Sequence, residues 1–255
     1  MSSVFLSHIS EEAELATLFK AEIETSFIGM VNVFQSSDPA SNVVGRNWFD
    51  SITSALRDCQ IIVLFCSPYS VKRPWINFEC GAGWGRDIAV VPVCHTGIRP
   101  VELPVPISLL QGLTANDDRR LKEIFDLIAS KLRSNTPTVD YTKLARNVLA
   151  FEAKYGARME LTTRASYIKT NSPDVFSRLR LVQRPDEVVS LGRVLSSDFQ
   201  PIRLMLEELK HMNMIYYSYN ANVTVTGGPN AGLQGPMQVS LTSKFMDAIK
   251  EAAKG

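Results

Sequence analysis

Gln60 to Cys66, QIIVLFC, is the stretch that most limits what this chain can become. After Gln60 it is continuous in apolar and β-branched residues. A strand with one wet face alternates between polar and apolar; a strand covered on both faces does not. The run is far too short to cross a bilayer. It reads as an inner strand of a parallel sheet, and such a strand needs helices above and below it.

The flanking sequence supplies them. Val4-Phe5-Leu6 is a short apolar run. From Glu11 to Phe27 the spacing becomes helical, with Leu15, Leu18, Phe19 and Ile23 on one stripe. Ser10 is placed to cap that helix. Val31-Asn32-Val33-Phe34 reads as a second strand. Trp48, Ile52 and Leu56 then mark a helix at i, i+4, i+8. Trp75 to Trp84 is a further helix, weakened near its end by Gly81 and Gly83. Ala89 to Cys94 is another strand, and Pro92 places it near the sheet edge. Asp117 to Leu132 is a helix with Leu121, Ile124, Phe125 and Ile128 inward. This alternation predicts an α/β fold, a parallel sheet with helices on both faces. Ligands of such sheets bind at the carboxyl ends of the strands.

Composition divides the 255 residues in two. Residues 1–135 carry 12 basic and 15 acidic groups; residues 136–255 carry 15 and 11. All four Cys and all three Trp lie in the first part. Ser134-Asn135-Thr136-Pro137-Thr138 is turn-rich and falls where the composition changes. The expected division is therefore 1–135 and 136–255. The second part opens with a helix from about Asp140 to Tyr155, and 159–183 reads ambiguously. Pro185-Asp186-Glu187 opens a short helix ending near Leu195, and Ser196-Ser197-Asp198 caps another. Strand-like runs follow at Met214 to Tyr219 and Gln238 to Leu241, around a loop from Gly227 to Pro236. A last helix runs from Ser243 to Ala253. Short helix, longer helix and hairpin resemble a winged helix-turn-helix, giving a smaller α+β domain.

Whole-chain charge excludes little and supports less. A net of +1 gives no bulk argument for nucleic acid or membrane. Cys59, Cys66, Cys80 and Cys94 form no CxxC pair and have no His at zinc-finger spacing, so no metal is expected. The start, Met1-Ser2-Ser3-Val4, has no basic segment before an apolar one. A cytoplasmic location with reduced core thiols is the expectation.

The chemistry is concentrated between Leu64 and Trp84. Residues after Cys66 stand at the carboxyl end of the buried strand. Trp75 and Glu79 follow at i, i+4, which sets an aromatic surface beside a carboxylate. Spacing alone does not carry the argument. With three Trp and 14 Glu in the chain, about 0.16 such pairs arise by chance. By itself the pair reads first as a core Trp and a solvated Glu.

The order of the motifs changes this. Val4-Phe5-Leu6-Ser7-His8, Phe34 through Asp38-Pro39, and Gly45-Arg46-Asn47-Trp48-Phe49-Asp50-Ser51-Ile52 (a complete G-x-x-W-x-x-x-I) come first. Val63-Leu64-Phe65-Cys66-Ser67-Pro68-Tyr69-Ser70 and Trp75-Ile76-Asn77-Phe78-Glu79 (W-x-x-x-E) follow. Together, over about residues 1–133, they resemble the Toll/interleukin-1 receptor (TIR) domain. The resemblance implies a flavodoxin-like, five-stranded parallel sheet whose fifth strand is short, near Leu110 to Thr114. Some TIR domains are scaffolds that recruit other TIR domains. Others cleave the nicotinamide–ribose bond of NAD+, and the cleaving group carries the Glu matched by Glu79.

By this resemblance Glu79 is the catalytic residue, with NAD+ as substrate and no further cofactor. Ser7, His8, Phe34, Asp38, Arg46, Ser67 and Trp75 are the candidate substrate-binding residues. Trp75 either stacks on a ring or braces its helix. Lys72 and Arg73 depart from the small residue many relatives place before the Trp; they either favour a diphosphate or make a solvated turn. His95 and His211 read as surface or loop residues. Expected partners are a second TIR domain and a protein trigger at the C-terminal domain. Nucleic acid is less favoured: Arg178, Arg180, Arg184 and Arg193 cluster in sequence, but a solvated surface explains them equally. The competing readings are a non-catalytic scaffold and a DNA-bound nucleotide sensor.

Overall fold

The computed structural model describes residues 2–35, 48–221, 223–225 and 232–254. The chain forms two compact units, Met1–Tyr155 and Gly156–Gly255.

In the first unit the strands are β1 (Ser2–Ser7), β2 (Val31–Gln35), β3 (Ile61–Cys66), β4 (Ala89–Cys94) and β5 (Leu113–Thr114). They form one sheet in the order β2-β1-β3-β4-β5, and every pairing is parallel. β3 is central and buried along its whole length, as its unbroken apolar run requires. The fold is flavodoxin-like, as expected. β5 is only two residues long and pairs with Val93 and Cys94 alone. Pro92, one residue earlier on β4, therefore faces no ladder partner on that side, which is how a proline is tolerated inside the sheet.

Four helices cover the two faces: α1 (Ala13–Ser26), α2 (Trp48–Asp58), α3 (Pro74–Gly85) and α4 (Asp118–Leu132). Side-chain parity along the strands decides which helix meets which residue. Phe5, Ile62, Leu64 and Cys66 share a core with Ile52 and Leu56 of α2 and Ile76 and Cys80 of α3. On the other face Phe65 packs edge-on against Phe19 of α1, and Phe27 stacks on Phe125 of α4. Ser10 does not cap α1 directly; Ser10–Glu12 form a 3-10 turn and α1 starts at Ala13.

Gly83 explains why α3 lies so close to the sheet. A Cβ there would stand 2.5 Å from Val90 Cγ2 and 2.7 Å from Ile62 Cδ1. Its helical cost is accepted for this approach.

A long helix, α5 (Tyr141–Asn171), carries the chain across the division between the units. The division falls within this helix, at 155, not in the turn-rich stretch at 134–138. The ambiguous stretch 159–183 resolves into the rest of α5 and a short helix, α6 (Pro173–Leu179).

The second unit is α+β with a small antiparallel sheet. Its strands are β6 (Val189–Leu195), β7 (Ile215–Tyr219), β8 (Val223–Val225) and β9 (Gly232–Leu241). β9 pairs with β6 on one side and with β7 and β8 on the other. Helices α7 (Ser196–Phe199), α8 (Arg203–His211) and α9 (Ser243–Lys254) complete it. The core includes Val194, Ile202, Leu206, Leu209, Met237, Val239, Leu241 and Phe245.

The stretch after Pro185 is corrected from helix to strand. β6 buries Leu191 and Val194, a helical spacing of three. A register shift between Ser190 and Gly192 makes this possible in a strand, because a bulge adds a residue and breaks the period of two. Gly192 adopts φ +76°, the left-handed region that bulges assign to glycine. Arg178 is absorbed here. Its guanidinium donates to the carbonyls of Leu191 and Arg193 and pairs with Asp174 at 2.8 Å.

Candidate functional site

Two buried carboxylates stand near the carboxyl edge of the first unit's sheet, one served from each face. Glu79 is the first. Pro74 opens α3 at its first turn, where a missing N–H costs nothing. Trp75 and Glu79 then fall one helical turn apart. Trp75 Nε1 donates to Glu79 Oε1 at 2.7 Å. Ser7, the last residue of β1, donates its hydroxyl to Glu79 Oε2. Glu79 is 0% exposed. Burial pushes its pKa up to about 7, while the Ser7 and Trp75 donors pull it back down. At neutral pH this carboxyl is poised between its two protonation states.

Trp75 is half-buried and its indole contacts Phe78 at 5.1 Å and Phe49 at 6.1 Å between centroids. Both phenylalanines are substantially exposed. Trp75 thus does something neither alternative named: it holds the carboxylate directly. Phe34 stacks on Phe5 with centroids 5.2 Å apart, on the strand face that also carries Ser7.

Glu12 is the second carboxylate, also 0% exposed. Ser67 Oγ donates to Glu12 Oε1 at 2.6 Å and Tyr155 OH donates to the same oxygen at 3.3 Å. His95 Nε2 lies 3.2 Å from it, an ion-pair distance without the alignment of a hydrogen bond. Ile9 N–H reaches Glu12 Oε2 at 3.4 Å. Ser70 Oγ accepts from Ser67 N–H at 2.7 Å and closes the turn after β3.

The structure therefore separates residues that sequence grouped together. Ser7 sits with Glu79. Ser67 does not; it serves Glu12. His8 is buried, its Nδ1 3.0 Å from the Leu6 carbonyl. Desolvation lowers its pKa, with the Leu6 carbonyl and Glu12 opposing, so the ring stays neutral near pH 7. Asp38 and Arg46 lie outside the described residues. Arg73 pairs with Glu11 at 2.9 Å, the ordinary surface alternative.

His95 is corrected from a surface or loop residue to a buried one, 1% exposed at the end of β4. Nothing local in the sequence marks this. The same holds for Glu12, which reads as an acid favourable in a helix's first turn. Tyr155 escapes notice because its partners are distant along the chain: Ser67 at 3.4 Å, and the rings of Tyr69 and His95.

All four cysteines are free and buried. Burial raises each thiol, Cys94 to about 12, so none is a ready nucleophile. Among the described residues no group of three His, Cys, Asp or Glu is placed to hold a metal ion. No helix of the described residues is long and apolar enough to cross a membrane.

A five-stranded, all-parallel doubly wound sheet with a buried carboxylate on the helix after the central strand defines a flavodoxin-like α/β domain. The comparison with protein families makes this specific: residues 4–127 match the family model of the TIR domain. The chain carries a TIR domain in its first unit. No curated protein matches the chain.

Proposed function

We propose that this protein cleaves the nicotinamide–ribose bond of NAD+, with Glu79 as the catalytic carboxylate. The observation that carries the reading is the setting of Glu79. It is a lone buried carboxyl beside the carboxyl end of β1, fixed by two donors, with an aromatic cluster alongside.

The chemistry needs one carboxylate. Nicotinamide in NAD+ carries the positive charge, so breaking the C1′–N bond releases a neutral leaving group. The bonding pair goes to the ring nitrogen, and the ribose is left with oxocarbenium character. A fixed carboxylate beside it stabilises that charge. Water then adds at C1′ with loss of a proton, giving ADP-ribose; an adenine nitrogen adding instead gives a cyclic isomer. A cation bound beside Glu79 draws this carboxyl, whose pKa burial raises, toward its ionised form.

In this reading the protein acts in the cytoplasm as a defence effector or signal producer. Self-association of TIR domains switches it on, and the second unit receives the trigger. The trigger is taken to be a protein before nucleic acid, since Arg178 is spent inside its own unit.

One observation favours the scaffold reading instead: Glu79 is fully buried with both oxygens already bonded. Chromatography of NAD+ incubated with concentrated protein separates the two. Nicotinamide released by wild type and lost in Glu79→Gln supports the enzyme. No release at concentrations that force self-association moves the scaffold ahead.

A further inference from the structure

The segment from Ser7 to Glu12 is pinned at both ends. At one end Ser7 donates to Glu79. At the other, Glu12 sits inside the buried cluster of Ser67, His95 and Tyr155. Between them Ile9 N–H is tied back to Glu12, and Glu12 N–H to the Ile9 carbonyl at 2.8 Å, so only His8 separates Ser7 from the closed turn. The cluster is completed by Tyr155, on a helix that begins at Tyr141, beyond the matched domain at 4–127. The same stretch of α5 grips two further strand ends. Glu152 accepts from Thr96 N–H at 2.7 Å, just past β4, and from Asn116 Nδ2 at 2.9 Å, just past β5.

We propose that Glu12 and Tyr155 are positioning residues for Glu79, acting through the Ser7–Glu12 segment. Neither touches Glu79. Glu12 is the hub: an acceptor for three donors from two elements and its own segment. If it loses them, Ile9 keeps only its backbone bond from Glu12 N–H at 2.8 Å, the end of β1 loosens, and the Ser7 donor to Glu79 is weakened relative to the Trp75 donor. A buried carboxylate with one donor fewer is harder to ionise. The site thus extends past the TIR match into the helix that leads to the second unit.

The groups facing this hub are few. His95 at the end of β4, Tyr155 on α5, His8 within the segment and Cys66 at the end of β3 all interact with Glu12. Around Glu79 the influences are burial, Ser7 and Trp75.

This inference rests on Glu79 being the reacting group, but its test does not depend on turnover. The carboxyl of Glu79 is titrated by 13C NMR in the full chain, with the Glu79→Gln protein identifying its signal. Wild type is compared with Glu12→Gln, Tyr155→Phe and the surface control Lys154→Ala. Lys154, on the same helix, pairs with Glu14 in solvent. The expected result is a Glu79 pKa raised by about 0.5 or more in Glu12→Gln and in the same direction in Tyr155→Phe. Lys154→Ala leaves it unchanged. The rising limb of kcat/KM with pH moves with it, and kcat falls about tenfold in Glu12→Gln while KM changes little. If Glu12→Gln does not fold, Tyr155→Phe decides alone. A Glu79 titration unaltered in the variants that fold overturns the positioning role. Altered titration in a protein that releases no nicotinamide overturns the NAD+ reading and leaves the coupling standing.

Discussion

Trp75 and Glu79 are joined by a 2.7 Å hydrogen bond from indole Nε1 to carboxylate Oε1 along one turn of α3. The bond ties the ionisation of the carboxyl to the position of the ring. Ser7 completes the arrangement from β1. Each donor stabilises the charged form, and burial opposes both. Removing a hydrogen bond to a charged group costs about 1.5–3 kcal/mol. Trp75→Phe keeps a ring on α3 but removes the donor, and Ser7→Ala removes the other. In each, the Glu79 pKa should rise above about 7, and under the proposed function NAD+ cleavage at pH 7 should fall at least about tenfold. Under the proposed NAD+ cleavage, wild-type kcat/KM should climb through about pH 7 to a plateau. A pH–rate profile of the three proteins checks this; coincident profiles refute it.

Glu79 makes the fold less stable at high pH. Its folded pKa is about 7 against an ordinary 4.5. Below 4.5 the carboxyl is protonated in both states and nothing is lost. As pH rises, the unfolded chain releases its proton first, and stability declines until the folded carboxyl has ionised above about 7. The full difference is about 3 kcal/mol. Glu79→Gln keeps both contacts, since the amide oxygen accepts from Trp75 and the amide nitrogen donates to Ser7. It should match wild type near pH 4 and exceed it by up to about 3 kcal/mol at pH 8. Denaturant unfolding across that range is the measurement. Equal stabilities at pH 8 would show that Glu79 is solvated in the folded protein.

Gly83→Ala should harm the fold and not the chemistry. The new Cβ meets Val90 and Ile62 at distances real contacts do not reach. The Val90 and Ile62 side chains or α3 itself must then shift, at about 1–3 kcal/mol. Thermal unfolding should show the loss. Any nicotinamide release per folded molecule should fall less than in Trp75→Phe, because Gly83 is a full turn beyond Glu79.

Gly192→Ala tests the bulge in β6. The residue sits at φ +76°, where a Cβ costs about 1–2 kcal/mol. Arg178, whose guanidinium bonds the carbonyls on either side, holds the bulge closed. Arg178→Ala should destabilise the same unit, and the double variant should lose less than the sum. Additive losses in urea unfolding would mean the two do not cooperate.

What could be read from the chain follows from how local each signal is. The unbroken run 60–66 declared a buried strand, and the ordered motifs placed Ser7, Trp75 and Glu79 together. Two strand-end serines look alike in sequence, yet side-chain parity sends Ser7 to Glu79 and Ser67 to Glu12 on the other face of the sheet. Glu12 and His95 were invisible as a pair, since the chain between them has to fold before they meet. The segment 189–195 reads as a helix in sequence because its bulge spaces Leu191 and Val194 as a helix would. Asp38 and Arg46 fall outside the described residues.

The brevity of β5 has an outcome for how the protein behaves in a crowd. Beyond Val93 and Cys94, the outer side of β4 offers its backbone from Ala89 to Pro92 with no ladder partner among the described residues. An open strand edge is a template on which another chain can grow. Here Pro92 supplies no N–H, and Gly112 lies close against it, where a Cβ would stand 3.3 Å from the Pro92 carbonyl oxygen. Annealing of another sheet onto this part of β4 is thereby discouraged.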